Sequence, residues 1–172
     1  MTTRDELLAA VDRLHQEVDA LARAIAARLP DTLRCRPGCA DCCLDGLVVF
    51  AAEAELIALR HGGLLRGARS HPRGNCAFLG EDLGCRIYGE RPYVCRVQGL
   101  PLRWLEEDRT GNLAERRDVC PRSELDLSVA ALPEECCWPV GPFEQRLAEL
   151  QRQLDGSLER VALRSLFAGA AR

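Results

Sequence analysis

Residues 35–43 read CRPGCADCC, which places four cysteines within nine positions. Two or three residues between cysteines allow both sulfurs to reach one ion, at the distance of about 2.3 Å that zinc takes to sulfur. Cys35, Cys39 and Cys42 have this spacing, and Pro37-Gly38 predicts the turn between them. This cysteine box therefore predicts one arm of a metal site.

Cys42 and Cys43 are adjacent. Side chains of successive residues point in different directions in an extended chain, so the two thiols are expected to serve two ions, or one ion and the core. One loop does not complete a metal site, and more distant cysteines are needed to close it. The candidates are Cys76, Cys85, Cys95 and Cys120.

Composition narrows the classes of function. A chain of 172 residues fits one domain or one domain with a helical extension. The net charge of −3 argues against a nucleic-acid binder that neutralises phosphates. All of the Lys+Arg total is arginine, which indicates codon bias in a GC-rich, bacterial genome.

The cellular compartment decides whether the ten cysteines are interpreted as disulfides or as free thiols. The N-terminal residues lack the apolar core of a secretory signal, and no stretch approaches the ~20 apolar residues of a membrane span. We therefore predict a cytoplasmic protein without membrane contact. Disulfides are rare in that compartment, so clustered thiols indicate metal binding or catalysis.

Both ends of the chain predict long helices. Residues 3–29 carry an apolar seam in steps of four and three, and Pro30 ends it. A second helix is predicted from Gly141-Pro142 through Val161, with a break or kink at Gly156. We expect the two helices to pair, antiparallel, within one chain. The alternative is that the same seam binds a protein partner or a second copy.

The fold class predicted is α+β, mostly helical, with a small irregular cysteine-rich domain and short hairpins between the terminal helices. The predicted boundaries are an N-terminal amphipathic helix over 1–30, the cysteine-rich metal-binding domain over 31–140 and a C-terminal helical segment over 141–172 that packs on the first helix. The predicted elements of the middle are a helix over 51–61 closed by Gly62-Gly63, a hairpin of 76–79 with 84–88, a short helix opened by Arg91-Pro92, a hairpin of 100–107 with 113–119, and a helical piece over 123–132.

The histidines are not predicted to be ligands. His61 is expected to cap the end of a helix, His71 to be exposed in a loop, and His15 to lie on the polar side of the first helix. A nucleophile–base pair is therefore poorly supported, and a catalytic Cys-His pair with His61 or His71 stays an open alternative.

Two boxes together carry a resemblance to a known family. CRPGCADCC is followed by CAFLGEDLGCRIYGERPYVCR, in which Cys76-Ala-Phe-Leu, Cys85-Arg-Ile-Tyr, Arg91-Pro92 and Cys95-Arg96 match a second pattern. This combination resembles the YkgJ family of cysteine-cluster proteins, whose CxxCxxCC domains are described as zinc- or iron-chelating. The resemblance covers roughly residues 35–121 and implies metal binding without a settled activity.

The resemblance implies eight ligand cysteines. They map to Cys35, Cys39, Cys42, Cys43, Cys76, Cys85, Cys95 and Cys120, and Cys136 or Cys137 is the alternative for the last. Flagellin lysine N-methylases carry a similar box in a larger chain, but no methyl-donor pocket signature appears here. Only the metal site is carried over.

The metal is predicted from the ligand pattern. Eight thiolates suit two zinc ions, since each ion takes four, and a typical iron–sulfur cluster also takes four thiolates. One dense box with scattered single cysteines differs from the paired knuckles of a zinc ribbon. A [4Fe–4S]-type cluster is therefore favoured, bound mainly by the first box together with Cys85 or Cys95, and zinc or mononuclear iron is the alternative. Arg91 and Arg96 are predicted to bind the cofactor by donating to cluster sulfurs or to a bound anion, and Tyr88 is expected to fill the core.

Two other functions stay open. A thiol redox or transferase enzyme would use Cys42 and Cys43 directly, because a disulfide between adjacent cysteines is strained and labile. A zinc-stabilised adaptor would instead bind a partner through its terminal helices. The sequence does not decide whether the protein is an enzyme.

Overall fold

The computed structural model describes residues 3–36, 38–125 and 128–169. It confirms an α+β, mostly helical chain. The helices are α1 (Arg4–Ala26), α2 (Ala51–Gly67), α3 (Tyr93–Arg96), α4 (Val140–Asp155) and α5 (Ser165–Gly169), and the strands are β1 (Val48–Phe50), β2 (Leu102–Glu107), β3 (Leu113–Asp118), β4 (Trp138–Pro139) and β5 (Arg160–Ala162). None of these described helices is long and apolar enough to cross a membrane.

Helix α1 begins with a capping box. The Thr3 hydroxyl accepts the Glu6 N–H, and the Glu6 carboxylate accepts the Thr3 N–H across 2.7 Å. The helix ends at Ala26, three residues before the predicted end at residue 29. Its predicted apolar seam is buried, including Leu7, Val11, Leu14, Val18 and Ile25.

Helix α4 packs antiparallel on α1. Arg146 in the middle of α4 donates to Glu17 across 2.7 Å. The pKa of Asp155 at the end of α4 is lowered mainly by the Ser157 N–H and further by the charge of Arg4, which begins α1. The predicted pairing of the terminal helices is therefore confirmed.

The chain after α4 was predicted to be helical, but it is not. Gly156 adopts a left-handed conformation, with φ of 76°, and ends the helix. The next residues form β5, which pairs antiparallel with β1 in the register Val48↔Ala162 and Phe50↔Arg160. The predicted continuation through Val161 is wrong, because the segment completes a sheet with a distant strand.

Helix α2 is longer than predicted. The backbone is not helical at His61 (φ −117°, ψ 21°), where the first helical part ends as predicted, and a second helical part continues across this kink to Gly67. The last turn places Leu65 in the core at 5% exposure, so tertiary packing outweighs the low helix propensity of the glycines. His61 is not a cap, and its Nε2 lies 3.0 Å from Glu90 Oε2.

The second predicted hairpin is confirmed and the first is not. Strands β2 and β3 pair antiparallel from Leu102↔Asp118 to Glu107↔Leu113, and β4 joins β2 in parallel. In place of the hairpin predicted over 76–88, the structure has a single bridge between Leu79 and Cys85 and a 3₁₀ turn over Tyr88–Glu90. Of the helical piece predicted over 123–132, a 3₁₀ turn over Val129–Ala131 is present, and residues 126–127 lie outside the described residues.

Two apolar clusters form the core. The first joins α1, α3 and α4 around Trp138, whose Nε1 donates to the Tyr93 hydroxyl across 2.9 Å. The second joins β1 and α2 to the cysteine-rich loops around Phe78 and Ile87. Cys76 belongs to this second cluster, with Cys43 and Cys85 packed against it. The second cluster therefore anchors several of the predicted ligands.

Candidate metal centre

The cysteine box is a surface loop made of two successive turns. The Cys39 N–H donates to the Arg36 carbonyl across 3.0 Å, and the Cys43 N–H donates to the Ala40 carbonyl across 2.9 Å. Gly38 supports the first turn with a φ of 85°, and Pro37 lies outside the described residues. Cys35 and Cys42 are exposed, whereas Cys39 and Cys43 are half-buried.

The adjacent thiols Cys42 and Cys43 shift each other's pKa in opposite directions. Donation from the Cys43 thiol stabilises the Cys42 thiolate and lowers the pKa of Cys42 to about 6. The same bond raises the pKa of Cys43, and burial and the charges of Cys76 and Cys85 raise it further. Cys43 therefore lies beside Cys76 and Cys85.

Distant segments bring Cys76 and Cys85 to Cys43, and Cys95 lies near Cys76 and Cys85. The Cys76 N–H donates to the Cys43 carbonyl across 2.8 Å, which ties the second segment to the box. Burial raises the pKa of Cys95 to about 12, and the charges of Cys76, Cys85 and Cys42 add to this effect. We call Cys43, Cys76, Cys85 and Cys95 the second group.

Cys76 and Cys85 share a local geometry. Burial raises the pKa of each thiol, and the backbone N–H two residues later, of Phe78 or Ile87, opposes this increase. Phe78 and Ile87 are 1% and 2% exposed, so their side chains fix these N–H groups in the core. The repeated pattern of cysteine, one residue and a large apolar residue is the sequence signal for this arrangement.

Cys35 has Cys39, Cys42 and Cys120 as neighbours. Burial raises the pKa of Cys35, and the charges of Cys42, Cys39 and Cys120 raise it further. We call Cys35, Cys39, Cys42 and Cys120 the first group.

Contacts near the box bring the Cys120 segment close. The Glu124 N–H donates to the Thr32 carbonyl across 2.9 Å. Arg34 and Glu124 form an ion pair, as do Asp41 and Arg122. These contacts favour Cys120 as the eighth ligand.

Cys136 and Cys137 lie elsewhere in the fold. Both are buried, and they precede Trp138 in the core. Burial raises the pKa of Cys137, and the charge of Arg117 opposes the increase. Their surroundings suit small apolar residues.

The eight cysteines supply a soft donor set. Thiolates select zinc, iron–sulfur clusters and copper(I) over hard cations such as magnesium. In the ranges that the structure describes, no three Cys, His, Asp or Glu side chains are gathered closely enough to hold a single ion. The assignment of the eight cysteines as ligands stays a prediction.

Arg91 and Arg96 occupy different environments. The Arg91 guanidinium lies over the Tyr88 ring, 4.0 Å from its centre, and its charge lowers the pKa of Cys35 against the larger effect of burial. Arg96 forms an ion pair with Asp19 on α1 and donates to the Gly89 carbonyl across 2.9 Å. The expectation for Tyr88 is wrong, since its side chain is 63% exposed. The cofactor roles of both arginines stay predictions.

A buried pair beneath the site was missed by sequence reasoning. His15 is 2% exposed, not on a polar face, and its Nε2 lies 2.9 Å from Glu53 Oε1. The same carboxylate accepts the Tyr93 N–H across 2.7 Å, at the first residue of the helix that carries Cys95. The sequence did indicate that His15 is buried. It follows Val11 by four residues and precedes Val18 by three, so it lies within the apolar stripe of α1.

Arg164 was missed as well. Its guanidinium donates to Asp45 and to the carbonyls of His71 and Asn75, each across 2.7 Å. These contacts hold the loop that follows Cys43 and the loop that leads to Cys76. No local pattern around residue 164 predicts them, because the partners lie about 90 to 120 residues away.

Comparison with protein-family models matches residues 34–137 to the description "CxxCxxCC: Putative zinc- or iron-chelating domain". The match spans both cysteine groups and more than half of the chain, and it confirms the CxxCxxCC resemblance. No curated protein and no solved structure is similar enough to match the chain.

Proposed function

The chain belongs to the CxxCxxCC family of zinc- or iron-chelating domains, and we propose that it binds metal through two groups of four cysteines. The first group is Cys35, Cys39, Cys42 and Cys120, and the second group is Cys43, Cys76, Cys85 and Cys95. Each group has the ligand count of one structural zinc ion or one [4Fe–4S] cluster.

The family match over residues 34–137, which includes all eight of these cysteines, is the observation that carries this proposal. The charges of Cys42, Cys76 and Cys85 act on Cys43, and the charges of Cys42, Cys39 and Cys120 act on Cys35. We assign the adjacent residues Cys42 and Cys43 to different groups, because successive side chains point in different directions in an extended chain. This division supports two centres joined at one peptide bond.

An iron–sulfur cluster is the form of the metal that we propose. The ligands come from one dense loop and several widely separated segments, unlike the paired knuckles of a zinc ribbon. The N–H groups of Phe78 and Ile87 face the sulfurs of Cys76 and Cys85, and such donors tune the reduction potential of a cluster.

Purification without oxygen tests the identity of the metal. We expect a coloured protein that contains iron and acid-labile sulfide in equal amounts, with the visible absorption of an iron–sulfur cluster. A colourless protein with stoichiometric zinc would contradict the iron–sulfur cluster but would still support metal binding by the thiolates. A folded protein that holds neither metal would contradict metal binding altogether.

Single substitutions test the two-group arrangement. Cys39→Ala removes a ligand of the first group and Cys95→Ala removes one of the second. We expect each variant to lose about half of the bound metal, because a group with three thiolates holds its metal weakly. Cys136→Ala is the matched control and keeps the full content. Complete loss of metal in both ligand variants, with the control intact, would indicate one shared centre.

A further inference from the structure

A cleft of about 430 Å³ opens beside the first group. It lies between the second half of α1 and the segment over residues 88–100. Its lining includes Cys35, Tyr88, Arg91, Arg96, Gln98 and Gly99. This volume falls within the range of small-molecule sites, about 300–1,000 Å³.

The cleft carries an excess of positive charge. Arg23, Arg91 and Arg96 line it, and Asp19 is the lining carboxylate that pairs with Arg96. Within the described ranges, no carboxylate forms an ion pair with Arg91, and its Nε is buried without a hydrogen-bond partner. A buried donor that lacks an acceptor is costly, so a bound acceptor would relieve this cost.

The Arg91 side chain is held in one orientation. Its guanidinium stacks on the Tyr88 ring at 4.0 Å, which fixes the plane of its donors. A planar guanidinium held in this way presents two parallel N–H groups to a carboxylate or a phosphate.

The cleft also reaches the first group directly. Gly99 has a φ of +89°, and a Cβ at this position would lie 2.7 Å from the Cys35 Cβ. The backbone at Gly99 therefore packs against Cys35, which forms part of the wall. A molecule in the cleft would lie next to a predicted ligand of the metal.

We infer that this cleft binds a small anionic molecule through a carboxylate or phosphate group held by Arg91, beside Cys35. The apolar lining residues Ala22, Ala26, Leu33 and Leu100 suit an apolar remainder of that molecule. The inference rests on the proposed function for the adjacent metal, and it names the class of ligand that the first group would meet.

Calorimetric titration of the metal-loaded chain tests the inference. The probes are succinate for a carboxylate and inorganic phosphate for a phosphate, and saturable binding of either one is expected.

Arg91→Gln should weaken binding at least about tenfold, the effect of losing a charge-assisted hydrogen bond. Arg91→Lys should recover part of the affinity, since it restores the positive charge but not the two parallel N–H donors of the guanidinium. Arg23→Gln, an exposed substitution, should weaken binding several-fold. Arg109→Gln, in an exposed turn, is the matched control and should bind as the unchanged chain does.

Metal content is measured on every sample. Absence of saturable binding with both probes, or an Arg91→Gln variant that binds normally, would overturn the inference even if the metal is present. Joint loss of metal and anion binding in Arg91→Gln would also overturn it, because Arg91 would then support the centre itself. Saturable anion binding by a chain without metal would support the cleft while the proposed function fails.

Discussion

The Nε of Arg164 donates to the Oδ1 of Asp45 across 2.7 Å and joins the C-terminal segment to the loop after Cys43. Asp45 also accepts the N–H of Gly74 across 3.2 Å, two residues before Cys76. One ion pair therefore organises both loops that lead into the second group. Arg164 lies outside the family match over residues 34–137, so the C-terminal segment contributes to the geometry of the matched domain.

Substitution of Arg164 should therefore weaken the second group. Arg164→Gln removes donors from Asp45 and from three loop carbonyls, and we expect the midpoint of thermal unfolding to fall by about 5 °C. The variant should also release metal faster to a chelator. Circular dichroism and chelator-release kinetics measure both effects. Arg152→Gln breaks an exposed pair with Glu149 and is the control, which should behave as the unchanged chain does. Equal release rates for Arg164→Gln and this control would contradict the positioning role.

Local signals were sufficient for several elements of the fold. The capping box at Thr3 and Glu6, the turn over residues 109–112 and the pair Arg91-Pro92 each act within a few residues. The start of α1, the hairpin of β2 with β3 and the helix that carries Cys95 were therefore predictable.

Other elements depend on contacts between distant residues. Strand β5 exists because it pairs with β1, and α2 passes Gly62-Gly63 because Leu65 packs in the second core cluster. The same is true of the site. Spacing identified candidate ligands, but the division into two groups and the contribution of Arg164 depend on how separate loops meet in space. Neither feature has a local pattern.

The buried pair of His15 and Glu53 should contribute strongly to stability. Glu53→Ala leaves the imidazole and the N–H groups of Phe50 and Tyr93 without their acceptor. We expect a loss of about 3–5 kcal/mol in the free energy of unfolding, measured by urea titration. The control is Glu55→Ala, two residues after Glu53. It breaks an exposed ion pair with Arg4 and should change the free energy of unfolding little. If the two variants unfold at the same urea concentration, the buried pair is not a structural support.

Gly99 should be required for the first group. Gly99→Ala forces a side chain into a left-handed backbone and against Cys35, so we expect a loss of about 1–3 kcal/mol in stability. It should also lower the metal content of the first group. Gly63→Ala, in a helix with open space around the new methyl group, should instead stabilise the chain by about 0.5–1 kcal/mol. Urea titration and metal analysis compare the two. A Gly99→Ala variant with normal stability and full metal would contradict this account of the contact.

Cys42 should be the most reactive thiol of the metal-free chain. Donation from Cys43 lowers the pKa of Cys42 from 9.0 to about 6, so the exposed Cys42 is mainly thiolate at neutral pH. Its rate of alkylation by iodoacetamide, followed by peptide mass spectrometry, should fall as the pH decreases through about 6. Cys43→Ala removes the donor and should move this profile to higher pH. Metal loading should protect Cys42, because a ligand thiolate is not free to react. Rapid labelling of Cys42 in the metal-loaded chain would instead favour a thiol enzyme, the alternative that the adjacent cysteines first indicated.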